Sequence, residues 1–307
     1  MPRNAHLVWA VLPILPFALG LVLLEVLYGI GADVAPFTLP EATPGDRSAL
    51  RFFNAYLLYL TVSFVHVMIC AAGLVYLLFK LNALPDLARA RALTVVTLLC
   101  ILLVAVNMAA RFPVEPGALT LTYRNICEVV RGAGVFLHLL PETCDASGLS
   151  LFALSALLPY LMGLFTALVA AGLVATAVVA DPGEGLPRKE MIERVLQLTA
   201  LVLVTSTVSL MLFYQLPEAV LTKAADIALV HSYGQALTLF WGACFTLTLC
   251  FGFGPALLFK DTSGTEPSEQ MLTFAGIRQQ LSAMLAVLAP LIVGALGPMF
   301  EKLLGAV

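Results

Sequence analysis

The chain has 307 residues, of which 61% are hydrophobic and 11% charged, and its mean hydropathy is +0.98. Soluble globular domains carry about a quarter charged residues, so this composition excludes that class and places the chain in a membrane. A net charge of -3 without a run of Lys or Arg argues against a nucleic-acid partner, and six cysteines without a C-x-x-C pair argue against a disulfide scaffold, a zinc ribbon or a thioredoxin-like site.

The N-terminus opens with Arg3 and an apolar run that holds Pro13 and Pro16 and reaches Gly31. The basic start is that of a signal peptide. The run is about twice as long as a signal core and offers only a weak cleavage site at 32–36, so it is read as a retained span. About 20 apolar residues are needed to cross the hydrocarbon as a helix. On that basis seven spans are expected, at 7–31, 53–79, 93–112, 151–180, 193–215, 232–259 and 280–300. They are closed by turn or charged residues such as Pro113, Asp181, Pro217 and Lys260. The seventh is weakened by Pro290, Gly294, Gly297 and Pro298, which membranes tolerate where neighbours satisfy the backbone. The expected fold is all-α: one transmembrane helical bundle over 1–307, with an outer subregion at 113–150.

Orientation follows the basic residues. With the N-terminus in the cytosol, that side holds 9 of the 16 Lys and Arg, and the short loops 80–92 and 181–194 are both basic. The C-terminus is then outside, and the expected location is a bacterial inner membrane. Loop 32–52 is Pro-rich and irregular. In 113–150, Thr120 to Arg131 has the makings of a short helix, and Val135 to Leu140 is an apolar patch before Pro141. Pro267 with Ser268 reads as a helix start in the polar loop 261–280. No internal repeat is evident, which counts against an inverted-repeat transporter.

Polar groups inside spans are costly in lipid and face a bundle interior or a water-filled path. The second span sets Tyr59, Ser63, His66, Cys70 and Gly73 on one side; the third sets Thr97, Cys100, Asn107 and Arg111 on one side. The sixth does the same with His231, Gln235, Thr238, Gly242 and Thr246. Glu25 stands in the outer half of the first span, at a depth comparable to Arg111. Spans one, two, three and six are therefore expected to surround a common space, with Glu25, His66, Asn107, Arg111, His231, Gln235 and Thr238 as its polar groups. The plain alternative is that Ser, Thr and Cys bond back to their own helix and that Glu25 and Arg111 form a structural ion pair.

Among the four histidines only His66 lies in mid-membrane, so neither a bis-His haem nor a His metal site is supported, and no cofactor is expected. Cys127 and Cys144 share the outer loop and are the natural disulfide pair in an oxidising compartment, with two free thiols as the alternative. Gly163, Ala167, Ala171 and Ala175 form a small-residue ladder that suits packing within one chain or between chains. Lipid and either a homo-oligomer or a membrane complex are the expected partners.

Three functions are compatible with this pattern. The first is a channel or transport protein for a small ion or solute; the second is a non-catalytic subunit of a membrane complex. The third, a membrane-embedded enzyme acting on lipid, rests on Ser63 and His66 one turn apart, but the sequence supplies neither an evident orienting acid nor an oxyanion hole.

Overall fold

In the computed structural model, the residues described are 15–16, 19–20, 22–24, 48–82, 118–134, 144, 188–258 and 285–296. All regular structure among them is helical. The long elements are α1 (Ser48–Asn82), α2 (Ala118–Gly132), α3 (Arg188–Gln215) and α4 (Ala224–Leu258). A 3-10 turn, Leu216–Val220, joins the last two. A shorter apolar helix, α5, covers Leu285–Leu296. Helices α1, α3 and α4 are each long and apolar enough to cross a membrane, which makes the chain an integral membrane protein built as a helix bundle.

These three correspond to the expected second, fifth and sixth spans, and α5 lies within the expected seventh. The spans at 93–112 and 151–180, the residues Glu25, Asn107 and Arg111, and the small-residue ladder lie outside the described residues, as does most of the first span.

Local sequence explains where the helices stop. Pro217 has no amide hydrogen and its ring disfavours a continued α-helix, so α3 ends at Gln215 and the chain tightens into the 3-10 turn. Leu221 is extended, and its amide donates to the Glu218 carbonyl at 3.3 Å. Leu216, Pro217, Val220 and Leu221 are buried, so this turn is a packed corner against α1, α2, α3 and α4. The short helix expected at Thr120 to Arg131 is α2. It buries Asn125, Ile126, Cys127, Val129 and Val130 and exposes Arg124, Glu128 and Arg131. Arg124 and Glu128 pair at 2.8 Å on the exposed side, an exposed one-turn contact worth about 0.3–0.5 kcal/mol. The helix closes at Gly134, whose φ of 66° is left-handed and whose amide donates to the Arg131 carbonyl at 2.9 Å. Cys127 and Cys144 are joined by a disulfide with their Cα atoms 5.7 Å apart.

Helix α3 is the centre of the described bundle. Of its most apolar stretch 67% is buried, against 50% for α4 and 28% for α1. It runs antiparallel to α1, because Ser63 meets Ser209 while His66 meets Thr205. Through the tight corner it is also antiparallel to α4, whose Gly234 lies against Tyr214. Helix α5 runs back along α4: a Cβ at Gly242 would meet the Pro290 carbonyl oxygen at 2.6 Å, and one at Gly294 would meet the Thr238 carbonyl oxygen at 3.0 Å. Backbones this close require small residues, the usual means of helix association in lipid. The outward side of α1, with Phe53, Leu57, Phe64, Met68, Val75 and Phe79, is exposed, as a lipid-facing surface would be.

Candidate functional site

The α1 face named by helical spacing is the buried one. Tyr59, Ser63, His66, Cys70 and Gly73 are all buried, while Phe64, Val65 and Met68 between them are exposed. The helical period alone produces this, since residues three and four apart share a face. Opposite them stand the hydroxyls of α3. The Ser63 and Ser209 hydroxyls share a hydrogen bond of 2.8 Å. One turn further along, His66 Nδ1 lies 2.7 Å from Thr205 Oγ1, and His66 Nε2 lies 3.4 Å from Cys70 Sγ.

The proton positions along this seam follow from the backbone. The Thr205 hydroxyl donates to its own helix, at 2.9 Å to the Leu201 carbonyl or 3.0 Å to that of Val202. Its lone pairs are left to accept Nδ1–H of His66. The Nε2 atom is then an acceptor for the Cys70 sulfhydryl, and His66 is the neutral Nδ1–H tautomer, as assigned from the network. His66 is 0% exposed and Ser63 1%; unpaired polar groups at that depth are expensive, and here each has a partner. Aromatic rings continue the seam toward the 3-10 corner: Tyr59 packs on Phe213 at 5.6 Å, and Phe52, Tyr56 and Tyr59 follow one another along α1.

A second polar group sits at that end of the bundle. Gln235 Nε2 donates to His231 Nε2 at 2.6 Å, which puts the ring proton on Nδ1, 3.3 Å from Glu218 Oε1. The side chains of His231 and Glu218 remain 28% and 19% exposed, so this group is half-buried where the seam is closed. Deeper along the same stripe the polar atoms serve packing. Thr238 donates to the Gly234 carbonyl at 2.7 Å, Gly242 receives the α5 backbone, and the Thr246 hydroxyl is buried without a partner.

The structure thus brings His231 and Gln235 together, and places His66 in a separate group with α3. The fifth span, left out of the expected common space, supplies Thr205 and Ser209; Glu218, just beyond that span, supplies the carboxylate at His231. The run Thr205, Ser206, Thr207, Ser209 was the signal for the first two, and its self-bonding hid it: Thr199, Thr205 and Thr207 all donate to carbonyls of their own helix. Among the described residues no group of three or more His, Cys, Asp or Glu side chains is placed to hold a metal ion. No known protein family, curated protein or solved structure matches this chain.

Proposed function

We propose that the protein is a membrane transport protein in which a small ion or solute passes along polar helix faces. The observation that carries this reading is the α1–α3 seam, where Ser63, His66 and Cys70 meet Ser209 and Thr205 deep in two membrane-length helices. A buried imidazole at that depth is costly and marks a functional position by default. The seam is closed in this conformation, so passage requires α1 and α3 to part or the hydrogen bonds to exchange.

The full arrangement in this reading has seven spans, an N-terminus in the cytosol, a C-terminus outside and a bacterial inner membrane around it. The alternating directions of α1, α3, α4 and α5 support it, as do the short basic loops at 80–92 and 181–194. The small-residue ladder of the expected fourth span and the uncovered side of α1 suit a homo-oligomer. The same uncovered side favours the second reading, a non-catalytic subunit seated against another membrane protein.

Two measurements test these readings. Single cysteines placed in the two basic loops should label from one face of the membrane and a cysteine at Ala306 from the other; labelling of loops and Ala306 from the same face rejects the seven-span arrangement. Purified protein in liposomes should raise the flux of a small ion or solute above that of empty vesicles. Silent vesicles, together with a fixed partner that co-purifies, would favour the subunit.

A further inference from the structure

We infer that the species moved along the α1–α3 seam is the proton, handed between side chains by exchange of hydrogen bonds; this rests on the transport reading above. The chemistry of the seam selects the proton over other small ions. Tyr59, Ser63, Ser209, Thr205, His66 and Cys70 are hydroxyls, an imidazole and a thiol, each able to donate and to accept. A metal cation must exchange its water shell for a cage of oxygens, usually carbonyls or carboxylates. Among the described residues the seam has no such cage: two hydroxyls in direct contact at 2.8 Å leave no space for an ion between them. Nor do the two helices themselves supply fixed charge to draw a cation or an anion inward, since the chain has no Asp, Glu, Lys or Arg between Arg51 and Lys80 or between Arg194 and Glu218.

His66 is the residue that makes exchange possible at mid-membrane. The Cys70 sulfhydryl proton moves to Nε2 and is replaced on sulfur by the incoming proton. The Nδ1 proton leaves to Thr205 Oγ1 while that oxygen's own proton, turned away from the helix carbonyl, is released toward the Ser63–Ser209 pair. One proton has come in and one has gone on, no heavy-atom bond has broken, and His66 is neutral in its other tautomer. Rotation of the ring and the hydroxyls restores the starting arrangement. Thr205 and Ser209 stand one turn apart on α3, about 5–6 Å between Cβ atoms, a separation of the size that one bridging water spans.

The test uses the full chain in liposomes that hold a pH-sensitive dye, with a membrane potential set by potassium and valinomycin. Proton uptake is compared with the flux of sodium, chloride and glycerol in the same preparation. Wild-type protein should carry protons well above the empty-vesicle rate, and His66→Gln should lose about a hundredfold, the size of effect usual for a positioned acid–base group. Cys70→Ser keeps a donor and acceptor and should retain flux, whereas Cys70→Ala should not; this pair decides the matter if His66→Gln fails to fold. Sodium, chloride or glycerol flux without proton flux would overturn the proton and leave the transport reading standing. Absence of every flux would overturn both, and wild-type proton uptake in both His66→Gln and Cys70→Ala would remove the seam from the path.

Discussion

Ser63 and Ser209, 146 residues apart in the chain, share one buried hydrogen bond of 2.8 Å that fixes the register of α1 against α3. Inside lipid such bonds average about 0.6 kcal/mol by double-mutant cycle and reach about 1.7 kcal/mol. Ser63→Ala and Ser209→Ala should therefore each destabilise the protein, and the double mutant should lose less than their sum. Equilibrium unfolding in mixed micelles reads the coupling directly. Strict additivity would mean that the two hydroxyls do not meet.

Gly242 should not accept a side chain. Its Cβ would lie 2.6 Å from the Pro290 carbonyl oxygen, a backbone atom that moves only if α5 moves. Gly242→Ala is expected to cost about 1–3 kcal/mol through overpacking and to make the α5 segment more open to protease. Gly134→Ala is the informative contrast. Nothing lies within 4 Å of its added Cβ, but the left-handed φ costs about 1–2 kcal/mol, and the effect should stay at the end of α2.

A clash at Gly20 is expected to be repairable. There an added Cβ would sit 2.6 Å from Cys244 Sγ, with Cys244 Cβ further off at 3.6 Å. Gly20→Ala should lower the melting temperature, and Cys244→Ala, by removing that sulfur, should restore much of it in the double mutant. Failure of the rescue would show that the first apolar segment does not pack on α4 at this point.

Cutting the Cys127–Cys144 bond frees a segment of sequence separation 17, for which loop-closure entropy gives about 3 kcal/mol. Cys127→Ser should lower thermal stability by that order, and proteolysis should speed up first at 118–134. Peptide maps of protein taken from the membrane, with and without reductant, should differ by the two hydrogens of one disulfide. Free thiols at both positions would contradict the bond and the oxidising side expected for it.

Much of this structure is legible in the chain because helical period and span length are local properties. A segment of Val, Leu and Phe between Arg51 and Lys80 is long and apolar enough to cross the membrane as a helix, and a period of 3.6 residues then puts Tyr59, Ser63, His66 and Cys70 on one side. That side had to be buried, since water is not available to its polar atoms in lipid. Two cysteines at a sequence separation of 17, in one segment expected to face outside, likewise needed no fold to be suspected as partners.

The neighbour of each face was a different matter. Lipid is as apolar as leucine, so the hydrophobic effect that sorts inside from outside in water does not choose which helices touch. The choice is made by backbone fit at small residues and by polar atoms that find each other. Gly242 admits Pro290 and Gly294 admits Thr238, which covers a stripe that sequence periodicity alone offers equally to a path or to a helix. His66 meets Thr205 because α3 lies between α1 and α4, and Glu218 meets His231 because Pro217 turns the chain just before it. The sequence by itself determined a membrane helix bundle and the identity of its polar faces; the tertiary structure decided their partners, because long-range registry depends on close contacts that no local period encodes.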